Sequence, residues 1–114
     1  MKGLVFIVLL GIVVSACGED YLSDYCPAND GDDWVSEMVK DIKRSDQDGH
    51  IYFYVYDGKP VFSVNTCVGC ADAMTVVYNC NKGVVCQFGG IAGLNTCPDW
   101  DDKVSGEKLI YKNY

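Results

Sequence analysis

Between residues 32 and 45 the apolar side chains recur at helical spacing: Trp34, Val35, Met38, Val39 and Ile42 share one stripe. Asp32, Asp33 and Glu37 come early in this segment and Lys40, Lys43 and Arg44 late, the order that complements a helix dipole. Asp30 or Asp32 is the expected N-cap, and Ser45 to Gly49 ends the element. From His50 to Val64 the period changes to two. A two-residue turn at Asp57-Gly58 sets Tyr56 opposite Lys59, Val55 opposite Pro60, Tyr54 opposite Val61, Phe53 opposite Phe62 and Ile51 opposite Val64. One face of this hairpin is then apolar, with Ile51, Phe53, Val55, Pro60, Phe62 and Val64, and is expected to pack on the helix. The other face carries Tyr52, Tyr54, Tyr56, Val61 and Ser63.

A second hairpin is expected from Met74 to Phe88 around the loop Asn81-Lys82-Gly83, with Gly83 left-handed, so that Cys80 faces Val84 and Tyr78 faces Cys86. A two-residue turn at Lys82-Gly83 instead places Cys80 and Cys86 on opposite faces. Gly89 to Pro98 reads as a glycine-rich loop, with a short strand at Lys108 to Tyr111 beyond it. These elements predict an α+β fold: one N-terminal helix packed on an antiparallel sheet of two hairpins, stapled by disulfides.

The amino terminus follows a different pattern. Lys2, the apolar run from Leu4 to Val14 and the small pair Ser15-Ala16 make an export signal ending at Cys17, the pattern of a lipoprotein. The run is too short to span a bilayer. The expected organisation is a signal peptide over residues 1–16, a lipidated tether over 17–31 and one α+β domain over 32–114. Cys17 is the expected acylation point, with palmitate among the chains, and two or more chains anchor a protein stably. Cysteine parity agrees, because setting Cys17 apart from the seven cysteines leaves Cys26, Cys67, Cys70, Cys80, Cys86 and Cys97, an even set. Outside the reducing cytosol these six are expected to form three disulfides, and spacing does not choose among the 15 connectivities.

Charge narrows the partners. With Lys2 removed, 16 acidic side chains face 8 basic ones, which disfavours nucleic acid and anionic lipid surfaces. The acids are scattered and read as solvated positions. Cys67-Val68-Gly69-Cys70 has the spacing of a redox pair, but no helical pattern starts there to lower a thiol pKa, so a structural disulfide is expected. The four thiols from Cys67 to Cys86 are spaced too closely for a usual zinc ribbon, and no metal or cofactor is expected. His50 is the only histidine and has no nucleophile motif beside it, so no catalytic residue is assigned. Two features remain as candidate contact surfaces for a protein or glycan partner: the Tyr52, Tyr54, Tyr56 stripe and the Gly89, Gly90, Gly93 loop.

The hairpin Tyr54 to Lys59, the segment Cys67-Val68-Gly69-Cys70-Ala71-Asp72, the Gly89-Gly90-Ile91-Ala92-Gly93 loop and Cys97-Pro98-Asp99 together resemble a family of small lipoproteins of Bacteroidota-type bacteria, known only as a domain of unknown function. The resemblance spans roughly Trp34 to Asp99 and implies a location and a fold, with no activity. Glu19-Asp20 is similar to the acidic signals that send such proteins to the outer face of the outer membrane. The expected function is thus a non-catalytic cell-envelope lipoprotein, lipid-anchored in the outer membrane, that displays a binding or structural module. The alternatives are a peptidase inhibitor, in which the Gly89 to Gly93 loop or the Asp57-Gly58 tip plugs a protease cleft, and a thiol-disulfide redox protein using Cys67 and Cys70.

Overall fold

A computed structural model describes residues 21–26 and 31–114. Cys17, the export signal, Glu19-Asp20 and Asp30 lie outside the described residues. Nine elements follow in order: α1 Tyr21–Tyr25, α2 Trp34–Arg44, β1 His50–Tyr56, β2 Lys59–Asn65, β3 Met74–Tyr78, β4 Val84–Gly89, β5 Leu94–Asn95, α3 Trp100–Lys103 and β6 Val104–Lys112.

The expected architecture of one N-terminal helix on two hairpins is overturned. The strands form a single six-stranded sheet in the order β5-β4-β3-β2-β1-β6, antiparallel throughout, and the helices are small additions to it. Two pairings make the difference. β2 pairs with β3, which fuses the hairpins, and β6 runs the length of β1 as a nine-residue edge strand where only Lys108 to Tyr111 were read as extended. Most of β6 is solvent-exposed, so its sequence carries no apolar alternation to betray it.

The β1–β2 register is the one the Asp57-Gly58 turn dictates. Both turn residues have positive φ, 52° and 79°, as a type I′ turn requires. Alternation along these strands then feeds two buried clusters. On one face Ile51, Phe62 and Val64 close with Val35, Val39 and Ile42 of α2. On the other Val61 and Val77 close with Cys86 and Cys97.

Helix α2 is capped by Asp33, whose carboxylate accepts from the Ser36 backbone N–H at 3.0 Å. That is one position past the expected cap. Trp34 follows it, donating its indole N–H to the Cys80 carbonyl at 2.9 Å and meeting Phe62 edge-on. The polar segment read as a tether is not free of the core at residues 21–26. Leu22 of α1 and Cys26 are both buried in the cluster beneath α2.

The β3–β4 connection also departs from expectation. Val77, not Tyr78, stands opposite Cys86, and a register irregularity follows before Tyr78 meets Val84. Lys82 rather than Gly83 takes the positive φ, 67°. The side chain of Asn79 decides this, because its Oδ1 accepts from the N–H groups of both Asn81 and Gly83 and winds the turn around itself. Cys80 and Cys86 accordingly belong to opposite faces, and the connectivity is Cys26–Cys80, Cys67–Cys70 and Cys86–Cys97.

Candidate functional site

The face of the sheet opposite α2 carries a groove of about 380 Å³, lined by His50, Tyr52, Tyr54, Ser63, Thr75, Phe88, Trp100 and Glu107. Strand pairing explains how residues 57 positions apart meet. His50, Tyr52 and Tyr54 alternate along β1 toward one face, Ser63 lies opposite Tyr52 on β2, and Thr75 lies opposite Phe88 across β3 and β4. Glu107 comes from the edge strand β6, and Trp100 begins the short helix α3 just after the Cys86–Cys97 bridge.

The aromatic wall is built by rings that fix one another. Trp100 meets Tyr54 at 5.3 Å and 78°, meets Phe88 at 5.4 Å and 69°, and stacks on Tyr56 at 5.0 Å and 21°. Tyr56 is held from outside. Its hydroxyl donates to Asp99 Oδ1 at 2.7 Å, and Lys103 Nζ pairs with the other Asp99 oxygen at 3.1 Å. The Tyr56 hydrogen bond, then Lys103, hold the Asp99 carboxyl below its ordinary pKa. Such interlocked rings lose little freedom on meeting a ligand, which favours binding.

The polar side of the groove is anionic. Tyr54 donates its hydroxyl to Glu107 Oε1 at 3.3 Å, and burial together with the Glu107 charge pushes the Tyr54 phenol up to about 12. His50 sits edge-on to Tyr52, with Nδ1 2.9 Å from the Tyr114 hydroxyl. Desolvation, then Lys112, lower its pKa, so the ring is neutral above its ordinary titration range.

Of the residues singled out from sequence, Tyr52 and Tyr54 line this groove, and Tyr56 supports it from behind Trp100. Gly89, Gly90 and Gly93 do not join it. They form a separate tight turn, in which Gly93 N–H donates to the Gly90 carbonyl and Gly90 N–H to Ala73. Sequence reading missed Trp100, Phe88, Glu107, Ser63, Thr75 and His50 as groove residues. The signal for Phe88 and Thr75 was the turn at Asn79, which sets the register that faces them together.

Cys67 and Cys70 close a turn between β2 and β3, with Cys70 N–H donating to the Cys67 carbonyl and Val68 N–H to Asp48. No described helix starts at Cys70. A second, smaller depression of about 260 Å³ lies between Tyr56, Lys59, Val61 and Val85. Among the described residues no helix is long and apolar enough to cross a membrane.

No curated protein and no solved structure matches the chain. A family match covers residues 37–113, from the first turn of α2 to the residue after β6, and so takes in the whole sheet and every residue of the groove. On that match the chain belongs to the family described as Domain of unknown function (DUF6970).

Proposed function

We propose that this protein is a non-catalytic binding module of the cell envelope, a lipoprotein of the Bacteroidota type held in the outer membrane by acyl chains on Cys17, and that it captures its ligand in the aromatic groove. The groove carries the reading: four interlocked or adjoining rings and one carboxylate line a concavity on the face of the sheet opposite α2. The lipid anchor is supported by Lys2, the apolar run and Ser15-Ala16-Cys17, and by three disulfides that suit an oxidising compartment.

Little favours the other readings. A thiolate at Cys67 has no helix N-terminus to stabilise it. The Gly89 to Gly93 segment closes on itself as a tight turn, a poor shape for threading a protease cleft.

Two measurements test the proposal. Cells fed a clickable palmitate should yield labelled protein in the membrane fraction, and Cys17→Ser should yield none. Saturation-transfer NMR with pools of glycans, organic cations and short peptides should find ligands whose contacts vanish in Tyr54→Ala. An unlabelled wild-type protein removes the anchor, and a screen without any groove-dependent ligand removes the binding role.

A further inference from the structure

The lining of the groove has one sign. Among the described residues that line it, Glu107 carries the one carboxylate and there is no lysine or arginine. The same lining carries the rings of Tyr52, Tyr54, Phe88 and Trp100, with Tyr54 bonded to Glu107 and edge-on to Trp100, and the face of an aromatic ring is the negative pole of its quadrupole. Both kinds of group therefore attract a cation, and neither has a partner of that sign within the lining.

Nearby cations do not supply one. Lys103 is paired with Asp99 behind the Tyr56–Trp100 stack. Lys112 lies over the Tyr114 ring, 5.0 Å from its centre, so this edge of the sheet already holds an ammonium by the same attraction. Desolvation, then Lys112, disfavour a positive charge on His50. The hydroxyl of Tyr54 fixes Glu107 beside the rings at 3.3 Å, and the stack on Tyr56 fixes Trp100.

We propose that the groove between Trp100, Tyr54 and Glu107 binds a small organic ammonium ion, its charge seated against the rings and balanced by the Glu107 carboxylate. An anion meets repulsion from Glu107 and from a chain of net charge −7. A purely apolar ligand gains nothing from the Glu107 charge and displaces water from it. A neutral sugar finds rings to stack on but only the small hydroxyls of Ser63 and Thr75 and one carboxylate to bond, few groups for a polyol. The volume of about 380 Å³ sits near the lower end of small-molecule sites, which suits a metabolite-sized amine.

This inference rests on the groove being a binding site, and the test separates the two. The full chain, purified with its lipid in uncharged polyoxyethylene micelles, is titrated calorimetrically with choline and with 3,3-dimethylbutan-1-ol, which has the same shape and no charge. Choline should bind about five- to thirtyfold more tightly than the neutral analogue, the range expected of a cation on partly desolvated rings. Glu107→Gln, on an exposed side chain that leaves the core intact, should weaken choline severalfold and leave the alcohol unchanged. Equal affinities overturn the ammonium assignment while the groove stands as a site. Choline binding that ignores Glu107→Gln overturns it too, since the ion then sits elsewhere. A neutral glycan lost in Tyr54→Ala, with no choline bound, sinks this inference and leaves the binding module; no groove-dependent ligand of any class sinks both.

Discussion

Tyr54 shows how one side chain can be read at two levels. Alternation along β1 places it on the outward face, which sequence provides, but its partner Glu107 lies 53 residues away on a strand that sequence hides. Its raised pKa has a definite consequence at high pH. The unfolded phenol ionises near 10 and the folded one only near 12, so the folded state holds a proton the unfolded state has lost, and stability falls as pH rises through that window. Absorbance at 295 nm should show a phenol titrating near 12 that Tyr54→Phe removes; a titration left unchanged by the substitution contradicts the burial and the Glu107 contact assigned to Tyr54. Gly89 is a second residue with a sharp expectation. Its φ is +104° and an added Cβ falls 2.7 Å from the Ala73 carbonyl, so Gly89→Ala should destabilise by more than about 1 kcal/mol in urea unfolding. Gly93, with open space around it, should tolerate alanine better.

The elements differ in how plainly the chain announces them. Helix α2 follows from its apolar stripe, and the β1–β2 hairpin from the period-two alternation and the Asp57-Gly58 turn that fixes its register. β6 is different in kind. It is an edge strand with Ser105, Gly106, Glu107 and Lys108 turned to solvent, it bulges twice against β1, and its pairing rather than its composition makes it a strand. Its end also clips the loop after α2, since Asn113 donates to the Ile42 and Gln47 carbonyls and accepts from Gly49. The β3–β4 turn misleads for another reason. Gly83 invites a glycine-centred turn, whereas Asn79 organises the loop by accepting two backbone N–H groups. Asn79→Ala should cost about 1 kcal/mol, and Asn79→Asp should retain most of that, as judged by thermal unfolding. Equal stability of Asn79→Ala and wild type contradicts this account of the register.

At the scale of the molecule, the candidate site exists only because distant segments are pinned together. Tyr52 and Tyr54 were legible as a surface stripe, but Trp100 reaches them through α3 and the Cys86–Cys97 bridge, and no local pattern specifies that return. The three bridges should not contribute equally. Restricting the unfolded chain predicts about 4 kcal/mol for Cys26–Cys80, about 3 for Cys86–Cys97 and about 2 for Cys67–Cys70, following their separations of 54, 11 and 3 residues. Paired serine substitutions, compared by denaturant midpoint, should rank in that order; a Cys67/Cys70 double variant less stable than the Cys26/Cys80 one reverses it. Loss of Cys86–Cys97 should also loosen Trp100, visible as changed indole fluorescence.

The bridge from Cys26 to Cys80 spans the closed pair Cys67–Cys70. A polypeptide that emerges N-terminus first presents Cys26 ahead of the other five crosslinking sulfurs, and the next two to arrive belong to each other. Joining thiols in order of appearance links Cys26 to Cys67, a trap that only thiolate attack through a mixed disulfide can undo. Oxidative refolding of the reduced domain should therefore give a higher yield with a disulfide isomerase than with an oxidant alone.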